Sequence, residues 1–137
     1  AEWEYAARGP HEQTMYPWGD SLEPGGKHRC NIWQGDFPNT NSVADGYAWT
    51  APAKSYQRMD WGFYNLIGNV WEWTSALDRP FAQAVEAGHD DLSLTGDRIA
   101  RGGGYLDPVA SLSCARREGL AEQTSRPDLG FRIVRSL

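Results

Sequence analysis

The stretch Trp61-Gly62-Phe63-Tyr64-Asn65-Leu66-Ile67-Gly68-Asn69-Val70-Trp71-Glu72-Trp73-Thr74-Ser75 decides how this chain is read. It holds three of the seven tryptophans, two further aromatics, two glycines and a single carboxylate. A buried helical face repeats apolar residues at i, i+3 and i+4, and a half-buried strand alternates them. Here Phe63, Leu66, Ile67, Val70, Trp71 and Trp73 follow the helical template only in part, and Gly68-Asn69 interrupts it. The pattern predicts an irregular, buried turn whose backbone groups must find partners. Glu72, flanked by two indoles, is costly to bury unless it is paired or holds a cation. Asn65, Gly68, Val70 and Glu72 can together present side-chain and main-chain oxygens to a hard cation such as calcium. The alternative is a Glu72 that accepts hydrogen bonds from backbone N–H groups and an indole N–H.

The chain around this stretch, 137 residues long, suits one domain. Its net charge of −5 and its dispersed Lys and Arg residues argue against a nucleic-acid partner. No run approaches the roughly 18 apolar residues that a membrane helix needs, so no membrane span is expected. Seven tryptophans, fifteen glycines and eight prolines predict an aromatic core held by loops, with little regular secondary structure. Cys30 and Cys114 lie far apart and in no metal-ligand spacing; a single disulfide and two free thiols are both open.

Residues 1–8 read as an amphipathic helix with Trp3, Ala6 and Ala7 on one face, stopped by Gly9-Pro10. Asn31 and Asp45 bracket a polar, loop-like segment, and both are oxygen donors. A calcium loop and a simple Asp45-Gly46 turn both fit that spacing. Residues 76–97 read as a polar connection with one short helical candidate, Phe81 to Ala87. His89-Asp90-Asp91 within it reads as solvated loop. Strands are expected at Arg98 to Arg101, Ser113 to Arg117 and, as a core strand, Leu129 to Val134.

Six motifs occur in order: Ala1-Glu2-Trp3-Glu4-Tyr5-Ala6-Ala7-Arg8-Gly9, Tyr16-Pro17-Trp18-Gly19, Asn31-Ile32-Trp33-Gln34-Gly35, Gly68-Asn69-Val70-Trp71-Glu72-Trp73-Thr74, Arg101-Gly102-Gly103 and Leu129-Gly130-Phe131-Arg132. The succession resembles the formylglycine-generating enzyme family, the sulfatase-modifying factors, along nearly the whole chain except 76–97. The resemblance implies a loop-rich α/β domain, a variant of the C-type lectin fold. It also implies that residues 1–137 are the C-terminal portion of one such domain. The N-terminal part would then be missing or lie on a second chain, and without it a large apolar patch would be exposed.

The family's structural calcium sites map onto Asn31, Ile32, Asp45 and Tyr47, and onto Asn65, Gly68, Val70 and Glu72. The catalytic pattern does not carry over. Family enzymes hold copper with two cysteines shortly after the Gly-Gly turn, and a soft thiolate pair suits Cu(I). Here the first of those positions aligns with Asp107 and the second falls near Leu112, so copper is not expected. Gly104 stands where many members have a serine. Cys114 matches a structural cysteine whose disulfide partner aligns with Ala7.

The leading expectation is a calcium-stabilised, non-oxidase binding or accessory module for a peptide or small molecule. Trp71, Tyr105, Asp107, Arg116 and Arg117 are the candidates for its groove. Core packing is the alternative for Tyr105, and a solvated or salt-bridged strand end for Arg116 and Arg117. Two enzymatic alternatives are a formylglycine-generating oxidase and the substrate-pocket half of an iron-dependent sulfoxide synthase. For the second, His11, His28 and His89 show no ligand spacing. A diversified lectin-like binding protein is a further reading.

Overall fold

The computed structural model describes residues 1–80, 82–83 and 92–135. One helix, α1 (Glu2–Arg8), and four short strands, β1 (Trp71–Leu77), β2 (Arg98–Arg101), β3 (Arg117–Leu120) and β4 (Leu129–Gly130), are joined by loops and two single 3-10 turns. The sheet runs β3-β2-β1-β4. β2 pairs antiparallel with both β1 and β3, while β4 lies parallel to β1. The register sets Glu72 opposite Arg101 on one side and Gly130 on the other, and it shifts between Trp73 and Leu77.

The strand at Trp71–Leu77 corrects the expectation of an irregular turn through residue 75. The turn ends at Val70, because from Trp71 onward both neighbouring strands supply ladder partners. Arg98–Arg101 is a strand as expected. The expected strand at 113–117 is displaced to Arg117–Leu120. Its first residues are spent otherwise: Cys114 N–H donates to the Met15 carbonyl, and the carbonyls of Cys114 and Ala115 accept from the Arg101 guanidinium. The expected core strand at 129–134 pairs only at Leu129–Gly130, and Phe131, Ile133 and Val134 are exposed. The helical candidate Phe81 to Ala87 and the His89-Asp90-Asp91 segment lie outside the described residues, except positions 82–83.

α1 forms as expected, with Ala7 buried and Glu2 and Glu4 in its first turn, where the helix dipole favours acids. The buried Arg101 docks it onto the sheet. Arg101 Nη2 donates to Glu4 Oε2 and to the Cys114 carbonyl, each at 2.7 Å, and its guanidinium lies 5.1 Å from the Trp3 ring.

Two apolar clusters fill the interior. Tyr16, Cys30, Ile32, Ile67 and Leu112 make one; Ala7, Met59, Leu66 and Cys114 make the other, with Trp3 and Trp18 packed against both. Both cysteines are buried free thiols. Among the described residues, no helix is long and apolar enough to cross a membrane.

The loops meet at Gly68. Its φ of +74° is a conformation that side chains disfavour. A Cβ there would also sit 2.5 Å from the Asn31 carbonyl oxygen. Gly68→Ala is therefore expected to cost at least about 2 kcal/mol, read as a lower urea midpoint. A midpoint within error of the parent contradicts this close approach.

Candidate functional site

Asn31 is fully buried, and its Nδ2 donates to the Trp49 carbonyl (2.7 Å) and to Asn69 Oδ1 (3.1 Å). Its own Oδ1 is buried without a hydrogen-bond partner. Asp45 lies beside it: Oδ2 accepts from Ile32 N–H at 2.9 Å and Oδ1 from Tyr47 N–H at 3.1 Å. The fold thus brings Asn31, Ile32, Asp45 and Tyr47 into one cradle. A buried amide oxygen without a partner beside a buried carboxylate is an oxygen donor set of the kind that suits a hard cation.

The second cradle repeats the pattern. Asn65 holds a left-handed backbone (φ +50°), donates through Nδ2 to the Pro52 carbonyl at 3.3 Å, and keeps Oδ1 buried and unpartnered. Asn65, Val70 and Glu72 line a cavity of about 190 Å³ together with Tyr64, Asn69 and Arg132. Glu72 is not bare here. Its Oε2 accepts from the Trp3 indole at 2.8 Å, and Arg132 binds both oxygens, at 2.6 Å to Oε1 and 3.1 Å to Oε2. Arg132 also donates to the Tyr64 carbonyl at 2.9 Å. Neither the Trp3 nor the Arg132 contact with Glu72 is legible in a local window, because each partner lies more than fifty residues away.

Both cradles offer neutral amide and main-chain oxygens plus a single carboxylate, a donor set for a hard cation. Among the described residues, no three His, Cys, Asp or Glu side chains gather around a point. Calcium suits this donor set, and at Glu72 the Arg132 guanidinium opposes it.

Copper does not fit the corresponding catalytic positions. Leu112 is buried in the apolar core. Asp107 is a hard oxygen ligand, and its Oδ2 is taken by the Trp71 indole N–H at 2.7 Å and the Gly104 N–H at 2.8 Å. Cys114 packs in one cluster with Ala7. Burial chiefly pushes its thiol up to about 11, away from the thiolate that a metal needs.

The other groove candidates separate. Trp71 and Tyr105 are buried. Tyr105 donates its N–H to the Asn69 carbonyl and packs edge-on against Trp49, its ring 6.0 Å away. Arg116 is exposed, and its guanidinium and that of Arg126 each lie 5.9 Å from the Trp71 ring. Arg117 donates to Asp78 at 3.2 Å and to the Arg79 carbonyl at 3.1 Å. Arg116 also lines an open cleft of about 400 Å³ with Met15, Tyr16, Ser111, Leu112 and Ser113.

Burial raises the Asp107 carboxyl above the ordinary range; the Gly104 and Trp71 hydrogen bonds oppose this, and the Asp128 and Glu118 charges add to it. A carboxyl raised in the folded state favours folding when protonated, so this contribution is lost as pH rises through the folded value. Asp107→Asn keeps an acceptor for both donors and carries no charge. Relative to that variant, the parent should gain stability as pH falls from neutral toward about 4, measured by paired urea titrations. A constant difference across that window contradicts a raised Asp107.

The profile of the sulfatase-modifying factor enzyme 1-like domain matches residues 1–137. The chain is 44% identical over 141 residues to the formylglycine-generating enzyme of Streptomyces coelicolor, covering 98% of this chain and 44% of that protein. It is 49% identical over 152 residues to the formylglycine-generating enzyme of Mycobacterium tuberculosis, covering 98% and 48%. It is also 34% identical over 141 residues to the inactive C-alpha-formylglycine-generating enzyme 2 of Mus musculus, covering 98% and 41%. The chain thus spans less than half the length of these relatives. Among solved structures, PvdO from Pseudomonas aeruginosa superposes with a TM-score of 0.69 at 22% identity, over 95% of this chain and 48% of that one. Treponema denticola variable protein 1 does so with 0.68 at 18%, over 95% and 43%. These neighbours and the small, loop-bound sheet are consistent with a C-type-lectin-like variant. With the family profile matched from first residue to last, the chain belongs to the sulfatase-modifying factor family.

Proposed function

We propose that residues 1–137 are the C-terminal portion of one calcium-stabilised sulfatase-modifying-factor domain that works as a binding or accessory module without the copper oxidase chemistry. One observation carries this reading: the Trp71 indole and the Gly104 amide hold the carboxylate of Asp107, the residue that the family resemblance aligns with the first copper thiolate. A hard oxygen donor already committed to two N–H groups is no substitute for a soft thiolate pair. The likeness to a relative named as inactive supports the same direction. Its ligand, a peptide or small molecule, is assigned to the cleft that Arg116 lines with Met15, Tyr16 and Ser113.

A second reading, formylglycine generation, is favoured by the identity of 44% to the Streptomyces coelicolor enzyme. Oxygen uptake separates the two. The protein carrying this chain, incubated with Cu(I) and a cysteine-containing sulfatase peptide, is expected to show no peptide-dependent oxygen consumption and no stoichiometric copper. Turnover with retained copper overturns the non-oxidase reading.

The calcium reading is tested separately. Calcium that binds only the folded state raises the melting temperature by mass action. Chelation is expected to lower the melting temperature by several degrees, and Asp45→Asn to remove most of that response. A melting curve indifferent to chelator after exhaustive removal of trapped ions contradicts both cradles.

A further inference from the structure

The two cradles differ in one respect that bears on which of them fills. Each has a single carboxylate. Asp45 spends its oxygens on the N–H groups of Ile32 and Tyr47, which are neutral donors, so its cradle keeps a net charge of about −1. Among the described residues, no basic side chain pairs with it. Glu72 instead meets the Arg132 guanidinium through both oxygens, at 2.6 and 3.1 Å. That side chain lines the same cavity as Asn65, Val70 and Glu72. A third hydrogen bond, donated by Arg132 to the Tyr64 carbonyl, fixes the guanidinium in place. Lys54 adds a further positive charge nearby, its ammonium 5.8 Å from the Tyr64 ring.

Resting on the calcium reading above, we propose that Arg132 is a built-in counter-charge for the Glu72 cradle, so that the Asp45 cradle binds calcium first and the Glu72 cradle only weakly. The Glu72 cradle is electrically neutral before any ion arrives. A divalent ion entering it shares a carboxylate with a fixed guanidinium, and repulsion over a few ångströms in a partly buried site lowers affinity steeply. Calcium loops are tuned over orders of magnitude by the number of charges among their ligands. Arg132 thus sets the affinity of the second cradle and supplies part of the stabilisation that calcium would otherwise give.

Calorimetric titration of calcium into the chelator-treated chain tests this. The expected isotherm has one strong site and a second weaker by roughly tenfold or more. Asp45→Asn should remove the strong site. Arg132→Gln should tighten the weak site by a similar factor and leave the strong one alone, whereas Arg132→Lys, which keeps the charge, should leave it weak. Two sites of equal affinity, or an Arg132→Gln weak site that is unchanged or weaker, overturn the proposal. Should Arg132→Gln not fold, amide exchange on the parent chain gives the answer. Protection at Ile32 and Tyr47 should appear at lower calcium than protection at Gly68 and Val70, and simultaneous protection overturns the proposal. Absence of calcium binding in parent and variants alike instead overturns the calcium reading on which it rests.

Discussion

The contact on which the other loops depend is the seating of Asn31 against Gly68-Asn69. The Asn31 carbonyl accepts from Asn69 N–H at 2.7 Å, and only an absent side chain at Gly68 permits that approach. The Asn69 side chain then clips the backbone of Ala51, accepting its N–H at 2.7 Å and donating to its carbonyl at 3.2 Å. The Asn69 main chain accepts Tyr105 N–H, and Gly68 N–H reaches the Gly102 carbonyl. Four loops with almost no ladder bonding are thereby fixed through one dipeptide. This answers the buried-backbone requirement that a loop-rich interior imposes. The same clip links Asn31 of the first cradle to Asn69, which lines the cavity of the second.

Much of this was legible in the sequence because family motifs and local patterns coincide with structural needs. Gly68-Asn69 broke every periodic template, and both residues hold left-handed backbones. The first helix was readable from Trp3, Ala6 and Ala7 together with the Gly9-Pro10 stop. The strand at Trp71–Leu77 was not readable, because alternation fails where a buried Trp is followed by a buried Glu. That carboxylate is tolerated only through Trp3 and Arg132, and no local window contains either. The segment at 129–134 misled for the opposite reason. Its apolar residues imitate a core strand, but Phe131, Ile133 and Val134 face outward.

The candidate site shows the same division. The oxygen donors could be named one by one, and two of the amide oxygens so named are buried without partners. What the sequence could not convey is the balance of charge. Asp45 meets neutral donors and Glu72 meets a guanidinium, and this difference arises from contacts 13 and 60 residues long. Near Asp107 the hydrogen bonding is explicit in the structure and was not legible in the sequence. The Trp71 indole frames the position, and its N–H satisfies the carboxylate.

Whether calcium completes the cradle built on Asn31 and Asp45 is answered by anomalous diffraction. Crystals grown with calcium and measured at long wavelength should show an anomalous peak about 2.4 Å from Asn31 Oδ1 and the oxygens around it. A well-ordered cradle with no anomalous peak under saturating calcium contradicts calcium binding there.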